Sequence, residues 1–305
     1  MMELKKDQFE VIGCNDENSE VILRPNMTYW QDAWRRLKQN KVAMVSMGLL
    51  FLIIIMCIIG PHITKHGYSE QIAENINLQP NGEYWFGTDN LGRDIFSRLW
   101  LGGRVSIAIG VLGTIIEVII GCIYGGVSGY FGGRVDNIMM RIVEILNSIP
   151  YMIVVIILSI YLGAGMASLL IALCITGWTG MARMVRGQVL QLKQSEYILA
   201  AKALGGTSSR IILRHLIPNT IGIIIIYMTF DIPGFIFAEA FLSFIGLGIK
   251  PPATSWGAMC AAGQSVMDFY PYQLIFPAVS ICLTMLAFNL LGDGLRDALD
   301  PKLRQ

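Results

Sequence analysis

Between Ile145 and Trp178 the sequence contains no Asp, Glu, Lys or Arg. Such a stretch restricts the fold more than any other feature of the chain. It does not stand alone. Met44 to Ile59, Leu216 to Tyr227 and Tyr270 to Leu291 are also free of charge, and Ser106 to Ile123 carries only Glu117. A bilayer core is roughly 30 Å thick and takes about 20 helical residues to cross. Repeated charge-free runs approaching or exceeding that length predict a polytopic membrane protein. Composition agrees: 15% of residues are charged and 54% are hydrophobic, against about 25% charged in soluble domains.

Bilayers admit only helices or closed barrels, and strand-like alternation is weak, so the expected fold class is all-α. We read about six spans, at 42–63, 103–128, 137–161, 165–182, 216–244 and 271–292. Loop charge sets their orientation. Arg35, Arg36, Lys38 and Lys41 crowd the approach to the first span and predict a cytoplasmic N-terminal segment, 1–41. The loop 64–102 carries Glu70, Glu74, Glu83, Asp89 and Asp94 against Lys65, Arg93 and Arg98, and is expected outside. The loop 183–215 carries Arg183, Arg186, Lys193, Lys202, Arg210 and Arg214 against Glu196, and is expected inside. An even number of crossings separates it from the N-terminus, so the assignments agree. The tail 293–305, with Arg296, Lys302 and Arg304, also falls inside, after a core domain at 103–292. The polar N-terminus lacks the short basic leader of a signal peptide.

The six cysteines (Cys14, Cys57, Cys122, Cys174, Cys260, Cys282) form no C-x-x-C pair, and four lie in apolar runs as small hydrophobes. His62, His66 and His215 are isolated and form no metal constellation. No basic tract marks a nucleic-acid surface. Pro150, Pro233 and Pro277 are expected to bend or break their helices. Gly121 and Gly125 form a small-xxx-small pair, which lets two helices approach closely. Glu117, Glu144, Asp231 and Glu239 fall at membrane depth. Charge there is costly, so these carboxylates are candidates for a translocation path. Asp231 could attract a peptide ammonium or a cation, whereas Glu239 reads more as structural.

The segment from Ser195 reads SEYILAAKALGGTSSRIILRHLIPN. Ser195 is a good N-cap, Glu196 suits the positive end of a helix, and residues 196–204 are good helix formers. Gly205 and Gly206 stop the helix. Its small surface, with Ala200, Ala201 and Ala203, suits insertion into a groove of a soluble partner.

This segment resembles the EAA loop of binding-protein-dependent ABC permeases. Ala200, Ala201, Gly205 and Pro218 match that pattern. Leu199 stands in place of its Glu, and His215 and Ile217 replace its Ile and Leu. Phe86 to Asp94 is similar to the family's external FGTD-x-LGRD segment. Ala238 to Gly248 resembles AEA-x-LSFLGLG, and Asn289 to Asp297 resembles NLLGDGLRD. The resemblance spans about 35–303 and is nearest to the C-type permease of the oligopeptide/dipeptide/nickel group.

It implies a type I ABC importer permease fold in a bacterial cytoplasmic membrane. It also implies a second homologous permease, two ATP-binding subunits carrying ATP and Mg, and an external substrate-binding protein. Glu196, Ala200, Ala201, Gly205 and Pro218 would form the ATPase-coupling helix and its exit. Asp89, Arg93 and Asp94 would contact the binding protein or gate the path, or else hold the loop as an internal ion-pair cluster. No G-x-x-x-x-G-K-[ST] is present, so the chain has no phosphate cradle and is not expected to be an enzyme. The cargo is expected to be a peptide, with nickel or another small solute as the alternative. A secondary transporter would show inverted repeats, and an intramembrane enzyme a motif such as H-E-x-x-H; neither is visible.

Overall fold

A computed structural model describes residues 28–163 and 165–299. Cys14, most of the polar segment 1–28, Lys302 and Arg304 lie outside the described residues. The described chain is helical: α1 Tyr29–Gln39, α2 Lys41–Ile63, α3 Ile95–Phe131, α4 Gly133–Ser148, α5 Tyr151–Leu162, α6 Met166–Leu192, α7 Glu196–Ala203, α8 Ser208–Ile211, α9 Ile217–Phe244, α10 Trp256–Gln264 and α11 Tyr272–Leu299. Five helical stretches are long and apolar enough to cross a membrane, or six if α4 and α5 together form one broken span.

The spans follow the apolar runs, but α3 and α6 extend beyond them, and α11 runs past 292 to Leu299, into the expected tail. α3 starts at Ile95, not 103. The Asp94 carboxylate caps it, accepting from the backbone N–H of Phe96 and Ser97 at 3.2 and 3.1 Å. Burial pushes the Asp94 carboxyl upward, against the downward pull of those bonds. Arg98 and Arg104 conceal this helix from a hydropathy reading, but both are satisfied by protein. Arg98 donates to the Tyr68 carbonyl and to Thr254 Oγ1, and Arg104 to the carbonyls of Cys57 and Ile58. α6 likewise continues past 182 to Leu192, carrying Arg183 and Arg186.

The prolines divide by context. Pro150 breaks the third span into α4 and α5, which meet at 78°. A proline disfavours helical geometry in the residue before it, and Ile149 is extended. Pro233 and Pro277 lie inside α9 and α11, which run through them unbroken. The expected breaks there do not occur. Around Pro233, Gly110 and Gly113 admit Ile232, Ile236 and Phe235 of α9 against α3. At Pro277, the carbonyl one turn earlier, on Gln273, is covered by Gly263 of α10.

The center of the molecule is the α3–α6 pair with α9 laid against both. Gly121 and Gly125 face Met181 and Ala182 of α6, so the small-xxx-small pair works within this chain. A Cβ at Gly125 would overlap the Ala182 carbonyl. Gly125→Leu is therefore expected to destabilize the fold by about 3 kcal/mol, at the upper end of overpacking penalties. Thermal melting of the detergent-solubilized protein measures it.

Candidate functional site

α7 leaves the membrane bundle as a short projection. Ile198 is buried and anchors it. Ser195 occupies the N-cap, but its hydroxyl accepts no helix N–H. It donates instead to the Leu192 carbonyl at 2.5 Å, tying α7 to the end of α6. The C-terminal stop follows the expected glycine geometry. Gly205 has φ +78°, Gly206 N–H reaches the Ala201 carbonyl, and Gly205 N–H reaches that of Lys202, both at 3.0 Å. These are the two bonds of a Schellman cap.

The exposed side carries Glu196, Ala200 and three large apolar groups, Tyr197, Leu199 and Leu204. Leu204 is 89% exposed. Sequence reasoning did not single out Tyr197 or Leu204, although large apolar residues in a basic loop are a usable signal. After the cap the chain enters α8, a wide π-type turn over Ile212–Leu216, and then α9. The Ile217 N–H reaches back to the Ile212 carbonyl. Pro218 follows at once, where its missing N–H is tolerated at a helix start. Such π turns recur at functional positions. α7 is thus joined to α9 through about one short helix and one deformable turn.

The four membrane-depth carboxylates do not converge. Glu239 is fully buried and accepts from the hydroxyls of Ser106 and Ser243, each at 2.7 Å. Ser106 in turn accepts the Trp256 N–H. This network joins α3, α9 and α10. Glu117 of α3 and Asp231 of α9 face each other within side-chain hydrogen-bonding reach, with Gly177 of α6 leaving room for the Glu117 carboxyl. Asp231 Oδ2 has no hydrogen-bond partner. Tyr227, one turn before Asp231, lies within electrostatic reach of both acids and of Arg183.

Arg183 opens onto a cavity of about 820 Å³ lined by α4 and α6, where Asn137, Ile138, Arg141 and Glu144 also sit. Arg141 and Glu144 form an exposed ion pair at 2.9 Å. Glu144 and Arg183 thus share one cavity lining, Glu117 and Asp231 pair between α3 and α9, and Glu239 belongs to a separate network. The cavity wall is held by Asp136, which takes a two-pronged bond from Arg186 at 2.5 and 2.6 Å and a third from Ser128. No local pattern announces the Asp136–Arg186 pairing, because its partners are fifty residues apart.

The stretch 64–94 folds as a compact cap, and Asp89, Arg93 and Asp94 are turned into it. They are 8%, 7% and 1% exposed. The Asp89 carboxylate pairs with Arg93 at 2.7 Å and lies 3.5 Å from Arg98. The accessible part of this face is built from other groups, including Trp85 and Leu91. Among the described residues no group of three or more His, Cys, Asp or Glu side chains is placed to hold a metal.

Residues 85–305 match the family described as the binding-protein-dependent transport system inner membrane component. Residues 28–80 match the N-terminal transmembrane domain of oligopeptide transport permease C. The chain is 51% identical over 291 residues to the dipeptide transport system permease protein DppC of Bacillus subtilis, covering 95% of this chain and 91% of that one. It is 47% identical to the oligopeptide transport system permease protein OppC of the same organism, over the full length of both. A more distant relative, 39% identical over 94% of this chain and 96% of its own length, is the glutathione transport system permease protein GsiD of Escherichia coli.

Proposed function

Because the chain belongs to the family of inner membrane components of binding-protein-dependent transport systems, we propose that it forms half of the pathway through which an ATP-driven importer carries peptides into the cell. Dipeptide and oligopeptide permeases at 51% and 47% identity over nearly the whole chain support a peptide cargo. A glutathione permease at lower identity is consistent with it, since glutathione is itself a small peptide. The chain is the non-catalytic membrane part. ATP and Mg belong to two separate ATP-binding subunits, a homologous permease completes the path, and an external binding protein delivers the peptide. The N- and C-termini lie in the cytoplasm.

The observation that carries the mechanism is the exposed α7, joined to α9 through α8 and the π turn. Closure of the ATPase pair pushes on Leu199, Ala200 and Leu204. The capped, short α7 transmits that push through the π turn to the span bearing Tyr227 and Asp231. Tilting α9 against α3 and α6 then opens a route between the 820 Å³ cavity and the Glu117–Asp231 pair. The cavity offers the exposed charges of Glu144 and Arg183 to a zwitterionic solute without a fixed pocket for any side chain.

The test is uptake of a labeled oligopeptide in cells lacking the chain and in cells complemented with it. Uptake is expected only with the chain present. In proteoliposomes holding the full complex, vanadate should stop it. Uptake that survives vanadate and collapses with an ionophore would overturn the ATP-driven reading. Uptake of nickel in place of peptide would overturn the cargo.

A further inference from the structure

α1 is a strongly amphipathic helix that the transport mechanism does not use. Thr28 caps its start, with a capping box completed by Gln31. Asn40 ends α1 and begins α2, so no linker separates the two. α1 must therefore lie at the membrane surface where the first span enters. Its inner face is occupied: Ala33 and Leu37 are buried, and Leu37 packs with Ala43, Leu295 and Ala298. The Tyr29 hydroxyl donates to the Leu299 carbonyl at 3.3 Å and lies against Gly222 of α9. The helix is thus fixed across the ends of α2, α9 and α11.

Its outer face is unusual for a surface helix. Trp30 and Trp34, one turn apart, are 49% and 46% exposed. Lys38, one turn further, stands over the Trp34 ring at 5.3 Å. Arg35 projects beside them with its side chain 57% exposed. Asp32, paired with Arg35 and Arg36, is the one acid in α1, against Arg35, Arg36 and Lys38 in α1 and Lys41 in the next turn. Beyond Asn40 the exposed apolar surface resumes on α2 at Val42 and Val45. The tryptophans therefore continue the apolar surface of the first span to its end. Tryptophan rings favor the headgroup level of a bilayer. Basic amphipathic helices lie in that layer and favor anionic lipid.

We propose that α1 is an interfacial anchor that seats Trp30 and Trp34 in the headgroup layer and holds anionic phospholipid through Arg35 and Lys38. The preference for the anionic inner leaflet rests on the cytoplasmic N-terminus proposed above; the seating itself does not. Nanodiscs expose both faces, so their result is independent of orientation, which thiol labeling in whole cells reads separately.

The complete transporter, wild type and Trp30→Phe/Trp34→Phe, is placed in nanodiscs of phosphatidylcholine brominated near the headgroup end of its chains. The emission difference between the two isolates these rings from the other tryptophans. It is expected to be quenched. Hydrogen exchange of residues 29–39 in the wild-type complex, which needs no variant, should slow when phosphatidylglycerol is mixed into the discs. Arg35→Gln and Lys38→Gln should each remove roughly fivefold of that slowing, which corresponds to about 1 kcal/mol per basic side chain near an anionic surface. An unquenched difference signal overturns the seating. Exchange that responds to the ATP-binding subunits and not to phosphatidylglycerol overturns the lipid partner in favor of a protein one.

Discussion

Replacing Ala200 with Asp is expected to leave a folded, inserted protein that no longer imports. Ala200 sits on the exposed face of α7. In an isolated helix the change costs under about 0.7 kcal/mol, too little to unfold the bundle. Its effect appears only when α7 enters a partner's groove. There a carboxylate would be taken out of water with no partner, at a penalty of several kcal/mol. Each 1.4 kcal/mol is tenfold in a binding constant, so association with the ATP-binding subunits should fall by at least tenfold, and uptake with it.

Leu204→Ala makes the same argument from the attractive side. Leu204 is 89% exposed here. If docking buries it, truncation removes up to about 2 kcal/mol, a loss of up to about thirtyfold in affinity. Co-purification of the ATP-binding subunits and ATP-dependent peptide uptake measure both variants. Wild-type uptake in Ala200→Asp, with normal co-purification, would mean that α7 is not the docking element. Lys202→Ala is the control, since Lys202 is exposed but not apolar.

What the sequence disclosed and what it withheld follow from the reach of each signal. Apolar runs are local, so the spans are legible. Their ends are not where polar residues are satisfied by distant partners. Arg98 looked like loop, but it sits inside α3 because Thr254, 156 positions away, accepts from it. The glycine stop of α7 is local and was legible to the residue. The role of Ser195 was not, because its hydroxyl chooses the preceding carbonyl of Leu192 over the helix it begins. Pro150 and Pro233 have the same local chemistry and opposite outcomes. Only Pro150 follows an extended residue between two helices; around Pro233, Ile232, Phe235 and Ile236 pack onto α3 at Gly110 and Gly113. The acids show the same limit. Depth could be read from the runs around them, but direction could not. Glu117 and Asp231 meet because α3 and α9 cross at Gly110 and Gly113, a tertiary fact. The apolar exposure of Leu204 is likewise a property of the folded projection.

The second large effect is expected at the opposite end of the molecule, from Asp89→Ala. This carboxylate organizes the cap outside the membrane. It accepts from the N–H groups of Leu91 and Arg93 at 2.9 and 3.0 Å, and from the Arg93 guanidinium at 2.7 Å. Its own backbone closes a turn, with Asp89 N–H on the Arg93 carbonyl and Asn77 N–H on the Asp89 carbonyl. The turn is stapled to α11, where Gln273 donates to Asn77 and to the Thr88 carbonyl. Removing the carboxylate takes the counter-charge from two guanidinium groups, Arg93 and Arg98, each 7% exposed. Breaking one side of a buried pair costs about 3–5 kcal/mol, a large fraction of a typical folding free energy of about 5–15 kcal/mol. The cap should loosen while the apolar bundle beneath it stays inserted. Basal ATP hydrolysis by the complex should then persist, because α7 is untouched. Stimulation by peptide-loaded binding protein should fall at least tenfold, because the surface that Trp85 and Leu91 present is no longer held in place. Asp89→Asn should be milder, since its amide oxygen still accepts from the two backbone N–H groups. ATPase assays with and without loaded binding protein separate these outcomes. Full stimulation of the Asp89→Ala complex would show that the cap's internal order is irrelevant to docking.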